Sequence, residues 1–301
     1  MRNSSIVIVG SSNTDMVIKA ARLPAPGETI LGGNFFMNAG GKGANQAVAA
    51  ARLGGKVLFI AKTGSDIFGK QAILILRKEG IDVSAILQDK KIPSGIALIT
   101  VDDKGENSIV VASGANAALL PADIKKVKLS IESASILLMQ LETPLNTISY
   151  SASVATAKKI KTILNPAPAC ELPDELLKNT SIITPNEKEA ELLTGIPVNN
   201  ISSAKQAALV LHQKGIPTVI ITLGAKGALL YHENKFSEIN TAKVKAVDTT
   251  AAGDVFNGAL AVALAENTPM QNAVNFACKA ASISVTRLGA QTSIPFRKEI
   301  K

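Results

Sequence analysis

The stretch DTTAAGDVFNG, residues 248–258, places a turn of small residues and a carboxylate, Asp254, at the start of an amphipathic helix. The apolar residues that follow recur at helical spacing and predict a helix from about Gly253. The first amides of such a helix lack intrahelical partners and, with the helix dipole, suit a phosphate. A carboxylate beside them can accept a proton from an attacking hydroxyl. The stretch predicts a phosphotransfer site, with plain helix capping by Asp254 as the alternative.

Length and composition indicate a globular protein. The 301 residues are 47% hydrophobic, enough for one large domain or a domain with an appendage. Apolar runs stay below the roughly 18 to 20 residues of a membrane span, and residues 6–9 are too few for a signal peptide. We therefore expect a cytoplasmic protein without membrane contact. Cys170 and Cys278 have no neighbouring metal-ligand pattern and are interpreted as core or near-core thiols.

The net charge of +8 does not by itself indicate a nucleic-acid partner. Aromatic residues make up 3% of the chain and Trp is absent, which argues against stacking platforms for bases. The lysines of residues 125–128 and 158–161 form short runs typical of solvated helix faces. A small polyanionic substrate such as a nucleotide fits the positive charge equally well.

Strand-like and helix-like segments alternate along the chain. Apolar strands are predicted at residues 6–9, 57–60, 136–139, 162–164, 181–184 and 219–222. Helices are predicted between them, at residues 44–53, 70–79, 148–159 and 203–214. Continuous apolar strands joined by helices predict the α/β class, with a doubly wound, mostly parallel central sheet flanked by helices.

Two regions depart from this alternation and predict a small β-sheet lid. Residues 15–38 contain strand-like pieces at 16–19 and 28–31, and residues 94–112 are interpreted as a hairpin that turns at 102–105. We therefore divide the single unit, residues 1–301, into a core of residues 1–14, 39–93 and 113–301 and a lid of residues 15–38 and 94–112.

Polar residues follow the predicted strands at the end of the sheet where ligands bind in open α/β folds. Singly, each is explained as a turn former or helix cap, but their shared position on one rim indicates a binding site. They are Asn13, Asp15, Glu142, Asn165, Asn186, Glu189 and the GAKG turn of residues 224–227.

The glycine-rich segment NAGGKGANQ, residues 38–46, opens the first predicted long helix. Lys42 and Asn45 lie three residues apart and share a helix face, so with Asn13 and Asp15 they can grip vicinal hydroxyls. The spacing is neither that of a Walker A loop nor that of GxGxxG. The segment indicates sugar recognition, and a loop that merely caps a core helix is the alternative.

Two motifs resemble those of the ribokinase-like family of carbohydrate kinases. They are GGKGANQA at residues 40–47 and DTTAAGD at residues 248–254. The resemblance extends over nearly the full chain, including Asn186-x-x-Glu189 and TRLGAQ at residues 286–291. It implies a doubly wound sheet with a β lid that also forms a homodimer contact.

The resemblance also implies the roles of individual residues. Asp254 would be the catalytic base, beside an anion hole formed by the backbone amides of Ala251, Ala252, Gly253 and Asp254. The sugar would be held by Asn13, Asp15, Gly41, Lys42, Gly43, Asn45, Glu142 and Asp254. ATP would contact Asn186, Glu189, Thr222, Gly224, Lys226, Gly227, Gly253 and Cys278, with Glu189 helping to place Mg2+ through water. An activating K+ would be held by Asp248, Thr250, Ser284, Arg287, Gly289 and Ser293, several through backbone carbonyls.

The acceptor predicted by this resemblance is D-ribose, phosphorylated on its 5-hydroxyl by the γ-phosphoryl group of ATP to give D-ribose 5-phosphate and ADP. Asn13 offers a donor and an acceptor where a deoxyribose-preferring relative would place an apolar side chain. The alternatives are a kinase for 2-deoxyribose, fructose or a nucleoside, and a non-catalytic sugar or nucleotide sensor. Retention of Asp254 argues against the sensor, which needs no proton acceptor.

Overall fold

A computed structural model describes residues 5–300, so residues 1–4 and 301 of the predicted core lie outside it. The strands are β1 Ser5–Val9, β2 Asn13–Lys19, β3 Asn34–Gly40, β4 Lys56–Gly64, β5 Ile86–Asp89, β6 Gly95–Val101, β7 Asn107–Ala112, β8 Ile136–Met139, β9 Lys161–Leu164, β10 Ile182–Ile183, β11 Thr218–Thr222, β12 Ala228–His232 and β13 Lys235–Ile239. The helices are α1 Lys42–Arg52, α2 Ile67–Lys78, α3 Pro121–Lys126, α4 Lys128–Glu132, α5 Leu145–Ala157, α6 Asp174–Lys178, α7 Glu187–Thr194, α8 Ile201–Gln213, α9 Ala252–Ala265 and α10 Met270–Ser284.

The central sheet has nine strands in the order β13-β12-β11-β10-β9-β8-β1-β4-β5. Pairing is parallel from β11 to β5, and β12 and β13 add an antiparallel edge. The predicted fold class is confirmed. The sequence interpretation missed β5, β12 and β13, which extend the sheet at its two ends.

Two hydrophobic clusters cover the two faces of this sheet. In β1, Ile6 and Ile8 belong to one cluster, whereas Val7 and Val9 belong to the other, because successive side chains point to opposite faces. Helices α1, α9 and α10 pack on the first face and α5 and α8 on the second. Burial on both faces explains why the strands are apolar throughout.

Helices α1 and α9 pack closely because small residues line their contact. A Cβ atom on Gly258 would lie 2.6 Å from the Cβ of Ala49 and 2.8 Å from the carbonyl oxygen of Gln46. This close approach brings the first turn of α1 against the first turn of α9, where Asp254 lies. Gly258 therefore allows the close packing of α1 and α9 that forms the site.

A second sheet of four strands has the order β3-β2-β6-β7. Strands β6 and β7 form the hairpin predicted at residues 94–112. The strand predicted at residues 28–31 is wrong: this segment is irregular, and Leu31 is 96% exposed. The pairing of β2 with β3 reaches only to Lys19 and Asn34, and the positive φ angles of Gly32 and Gly33 separate residues 28–31 from that ladder.

Each helix found between residues 5 and 300 is too short or too polar to cross a lipid bilayer.

Candidate active site

The amino terminus of α9 is built to leave backbone amides exposed. The residue before the helix, Ala251, has φ 60 and ψ 9, and no side chain caps the helix there. The amide of Ala252 donates to the carbonyl of Thr249 at 3.2 Å, but the amides of Gly253 and Asp254 find no acceptor among residues 5–300. Nothing lies within 4 Å of the position a Cβ would take on Gly253. This helix end can therefore receive an anion, with two amides fully available.

Asp254 lies in the first turn of α9 and is 5% exposed. Its Oδ2 accepts a hydrogen bond from the side chain of Asn45 at 3.0 Å, and its Oδ1 accepts one from Gln46 at 3.0 Å. Burial raises the pKa of Asp254, while the charge of Lys42 and both hydrogen bonds oppose the rise. The carboxylate does not cap its helix, so the capping alternative is not what the structure shows. A buried, oriented carboxylate suits a general base.

A network of side-chain amides supports this carboxylate from the core. The Nε2 atom of Gln46 also lies 3.0 Å from Oδ1 of Asn165, and Gln140 donates to Oε1 of Gln46 at 2.5 Å. Asn165 was predicted at this rim, whereas Gln46 and Gln140 were not predicted as site residues. The available signal was a polar residue beside each of two apolar runs, Gln46 before residues 47–51 of α1 and Gln140 directly after β8. They fix the rotamer of Asp254 through shared hydrogen bonds.

The glycine-rich loop is tied to the ends of β1 and β8. Glu142 Oε2 accepts hydrogen bonds from Ser11 Oγ at 2.5 Å and from the backbone amide of Lys42 at 3.0 Å. A Cβ on Gly43 would lie 2.6 Å from the backbone nitrogen of Ser11, so only glycine allows α1 to begin this close to β1. The loop, Glu142 and Asp254 therefore surround one space.

Asp15 in β2 brings the four-stranded sheet to the same space. Burial, with a smaller contribution from the negative charge of Glu142, raises the pKa of Asp15 from 3.8 to about 6. Its carboxylate lies over Gly40, where an added Cβ would be 2.3 Å from Oδ2. The predicted sugar residues Asn13, Asp15, Gly41, Lys42, Gly43, Asn45 and Glu142 are thus gathered beside Asp254.

Asp15→Asn is expected to stabilise the folded protein at neutral pH while weakening sugar binding. Because the folded-state pKa is raised, the contribution of Asp15 to stability is greatest while its carboxyl is protonated, and it is lost as pH rises from about 4 through about 6. The asparagine variant avoids this loss, which is on the order of 1 to 3 kcal/mol. Urea unfolding at pH 8 should show the gain, and at pH 4 it should disappear. Asp103→Asn, an exposed change in the turn between β6 and β7, is the control; a gain equal at both pH values would contradict the prediction.

A cavity of about 800 Å³ adjoins the amino terminus of α9. It is lined by Asn186, Thr222, Gly224, Gly227, Gly253 and Cys278, all predicted to contact ATP, together with residues of 241–249 and of α10. Two predicted residues do not line it: Lys226 is exposed, and Glu189 lies at the start of α7. The cavity can hold a nucleotide with its phosphates near the free amides of α9.

The first turn of α7 holds Asn186 and Glu189 in a reciprocal capping box. Asn186 Oδ1 accepts from the amide of Glu189 at 2.9 Å, and Glu189 Oε2 accepts from the amide of Asn186 at 2.8 Å. Burial raises the pKa of Glu189, and the charges of Lys42 and Asp254 also act on it. Glu189 therefore caps a helix and lies within electrostatic reach of the candidate base.

Cys278 is buried in α10 against the cavity, and burial raises the pKa of its thiol to about 12. It is a neutral packing residue, consistent with the interpretation of a core thiol. Cys170 is exposed, so its interpretation as a core or near-core thiol is wrong, and both cysteines are free.

The loops predicted to hold a monovalent cation meet at Asp248. One carboxylate oxygen of Asp248 accepts from the amide of Thr250 at 2.9 Å, and the other accepts from the amide of Gly289 at 2.8 Å. Burial acts to raise the pKa of Asp248, but these hydrogen bonds hold it below its ordinary value. The predicted Ser284 and Ser293 donate their hydroxyls to backbone carbonyls.

Arg287 differs from the other predicted cation-site residues because its guanidinium forms an ion pair with Glu299 at 2.5 Å. Across the described part of the chain, no group of three or more His, Cys, Asp or Glu side chains could hold a metal ion.

The chain matches one protein family over nearly its whole length. The family model described as pfkB family carbohydrate kinase matches residues 3–297, and the chain belongs to this family. It is an ATP-dependent sugar kinase, and the resemblance carried by the glycine loop and by residues 248–254 is confirmed.

Similar proteins within this family include ribokinases and a deoxyribokinase. A ribokinase from Haemophilus influenzae is 49% identical over 98% of this chain and 96% of its own length. A deoxyribokinase from Salmonella typhi is 36% identical over 96% of this chain and 95% of its own length. The structure of a ribokinase from Arabidopsis thaliana complexed with ribose and ATP matches with a TM-score of 0.94, at 33% identity, over 98% of this chain and 97% of that one.

Proposed function

We propose that this protein phosphorylates the 5-hydroxyl of D-ribose with ATP. The observation that carries the proposal is the position of Asp254, a buried carboxylate between the sugar-side residues of α1 and the free amides of α9. Similarity to ribokinases over 98% of the chain supports ribose as the acceptor. The use of ATP also favours the cytoplasm as the place of action.

Phosphoryl transfer requires positioning and charge stabilisation more than covalent chemistry. Asp254 would accept the proton of the attacking hydroxyl, and Asn45 and Gln46 hold its carboxylate in one orientation. The amides of Gly253 and Asp254, assisted by the helix dipole, would stabilise charge on the transferred group. A lid over the sugar would keep water from the γ-phosphate. We assign that lid to the four-stranded sheet, which carries Asp15.

The residues present fit the two cations expected for this chemistry. Mg2+ is commonly held by one or two carboxylates together with substrate phosphates, and Glu189 has one carboxylate oxygen outside its capping box. Bound there, Mg2+ would neutralise phosphate charge. The oxygen-rich loops around Asp248, whose carboxylate is held ionised, suit a monovalent cation beside the anion hole. Asp248, Thr250, Ser284, Gly289, Ser293 and the backbone of Arg287 would hold it.

ADP release measured with a panel of sugars, with and without potassium, tests the proposed function. Fast release with D-ribose, and almost none without an acceptor, is expected. Turnover only with fructose or a nucleoside would replace ribose by that acceptor, and no turnover with any sugar would favour a sensor.

2-Deoxyribose is the second candidate acceptor because a deoxyribokinase is also similar over nearly the whole chain. Asn13→Met is expected to lower the ratio of kcat/KM for ribose over 2-deoxyribose by about tenfold or more, because the variant cannot hydrogen-bond a sugar hydroxyl. Leu129→Met, at an exposed position outside the site, is the control. An unchanged ratio would remove Asn13 from the specificity assignment.

We also propose that two copies associate through the lid. Register pairs Met37, Met16, Leu98 and Val110 in one row across the four strands, so their side chains share a face. Phe35 and Ile18 pair two residues further along the same two strands and lie on the same face. Asp15 lies on the opposite face, and most of the apolar row is exposed, as at Val110, which is 65% exposed. A continuous apolar face of this kind is typical of an interface.

Val110→Glu is expected to convert the protein to a monomer, because two carboxylates would be buried at a two-fold interface. Light scattering at micromolar concentration measures the mass. Leu129→Glu places the same charge at a site that is 79% exposed and outside the lid, and it should leave the mass unchanged. A wild-type protein that is monomeric at these concentrations would refute the interface.

A further inference from the structure

A buried pair of asparagines lies where the lid joins the core. Asn116 is 1% exposed and belongs to the 3-10 turn Gly114–Ala118, just after β7. Its Oδ1 accepts from the backbone amide of Ser12 at 2.9 Å. Its Nδ2 lies 3.2 Å from the carbonyl of Ser12 and 2.7 Å from Oδ1 of Asn13. Asn13 begins β2 and was predicted to contact the sugar, whereas Asn116 was not predicted at all.

The backbone decides the orientation of both side-chain amides. The N–H of Ser12 can only donate, so the Asn116 atom that it meets must be the carbonyl oxygen, and the other terminal atom is the amino nitrogen. That nitrogen can only donate, so the Asn13 atom 2.7 Å away must in turn be an oxygen. The amino group of Asn13 is therefore the group left for a ligand.

Gly95 makes room for this arrangement. It begins β6 and pairs in register with Asn13. A Cβ at this position would lie 2.2 Å from both Asn116 Nδ2 and Asn13 Oδ1, so a side chain there would displace the amide pair. Three separate segments, at the starts of β2 and β6 and at the 3-10 turn, thus hold Asn13 in one orientation.

The amino group of Asn13 has no acceptor within residues 5–300, and it is not among the buried unpaired atoms, so it keeps some solvent accessibility and can meet a ligand. Asp15, two residues along the same strand, points to the same side and offers carboxylate acceptors. A donor from Asn13 beside an acceptor from Asp15 matches two neighbouring hydroxyls, one accepting and one donating.

We propose that Asn116 is a positioning residue that determines sugar specificity by holding the carbonyl of Asn13. It does not touch the substrate. Asn13 then recognises a sugar hydroxyl only as a donor, not as the donor and acceptor expected from its residue type. The inference rests on the proposed function for its substrate, and it extends the specificity site to a residue 103 positions from Asn13.

A double-mutant cycle with Asn116→Ala and Asn13→Ala tests whether Asn116 acts on sugar specificity through Asn13. Each single variant is expected to lower the ratio of kcat/KM for ribose over 2-deoxyribose by about tenfold, mainly through a higher KM for ribose. Because both changes remove the same hydrogen bond to the sugar, the double variant should have the ratio of Asn13→Ala within about twofold. Ratios that multiply independently, or an unchanged ratio in Asn116→Ala, would overturn the inference.

Two further variants separate positioning from general destabilisation. Thr147→Val removes a buried hydrogen bond to the carbonyl of Leu119, at the end of the same 3-10 turn, and should leave the ratio unchanged. Gly95→Ala disrupts the hydrogen bond between Asn116 and Asn13 from the side of β6 and should lower the ribose-to-deoxyribose ratio as Asn116→Ala does. It serves as the test if Asn116→Ala does not fold. If wild type prefers another sugar, the proposed function has failed, and the same cycle with that sugar and its deoxy analogue still decides the inference.

Discussion

Asp254→Asn is expected to lower kcat by about 100- to 10,000-fold, the usual contribution of a general base, while ATP and sugar still bind. Asparagine keeps the size of the side chain but cannot accept a proton from the sugar hydroxyl. The amides of Gly253 and Asp254 belong to the backbone and remain in place. Initial rates of ADP release measure kcat, and titration calorimetry measures the two affinities.

A control variant at the end of the same helix separates the effect of losing a negative charge from the effect of losing the base. Glu266 follows the last residue of α9 and forms an exposed ion pair with Arg297, so Glu266→Gln removes one negative charge far from the site. Its kcat should match that of wild type. Near-normal turnover in purified Asp254→Asn would show that another group accepts the proton and would defeat the assignment.

Gly41→Ala is expected to lower kcat/KM by about 100-fold, because shifts of about 1 Å in a positioned site can have that effect. Gly41 has φ 89, a conformation that alanine rarely adopts. A Cβ there would also lie 2.8 Å from the backbone nitrogen of Asn13 and 2.9 Å from Cα of Ser12. The backbone must move to relieve the contact, and it carries Asn13 on one side and Lys42 on the other.

Gly54→Ala distinguishes this collision from backbone strain alone. Gly54, just beyond the other end of α1, has φ 96 with nothing within 4 Å of its Cβ position. Its substitution should cost about 1 kcal/mol of unfolding free energy and leave kcat/KM unchanged. Gly41→Ala should cost about 1 to 3 kcal/mol more, since overpacking is added. Equal kinetic effects at the two glycines would show that the contact with Asn13 is unimportant.

The main features of the fold were predictable because they depend on patterns within single segments. Continuous apolar residues in β1 and β8 and the helical spacing in α9 report burial directly. The error at residues 28–31 has a different origin, since those residues have strand-like character but no partner strand within reach. Pairing is a property of two segments, and the sequence of one cannot establish it.

The candidate site was predicted only in part, because some of its residues carry a local signal in the sequence and others do not. Asp254 and the glycine loop carry a local signal, a carboxylate at a helix start and glycines that open a helix. Gln46, Gln140 and Asn116 carry almost none, because each acts through a hydrogen bond to a residue about 90 to 210 positions away. Amide side chains occur in many settings, and only their neighbours give them a role.

By itself, the sequence determined the α/β class, the helix that starts near Gly253 and the carboxylate in its first turn, because local periodicity and backbone preference act over a few residues. The tertiary structure alone decided that Asp254 is buried and held by two amides from α1, and that Asn13 offers its amino group. Burial and hydrogen-bond direction depend on which atoms meet in space. Chain segments far apart in sequence supply those atoms, and they meet only where α1 packs against α9 in the folded protein.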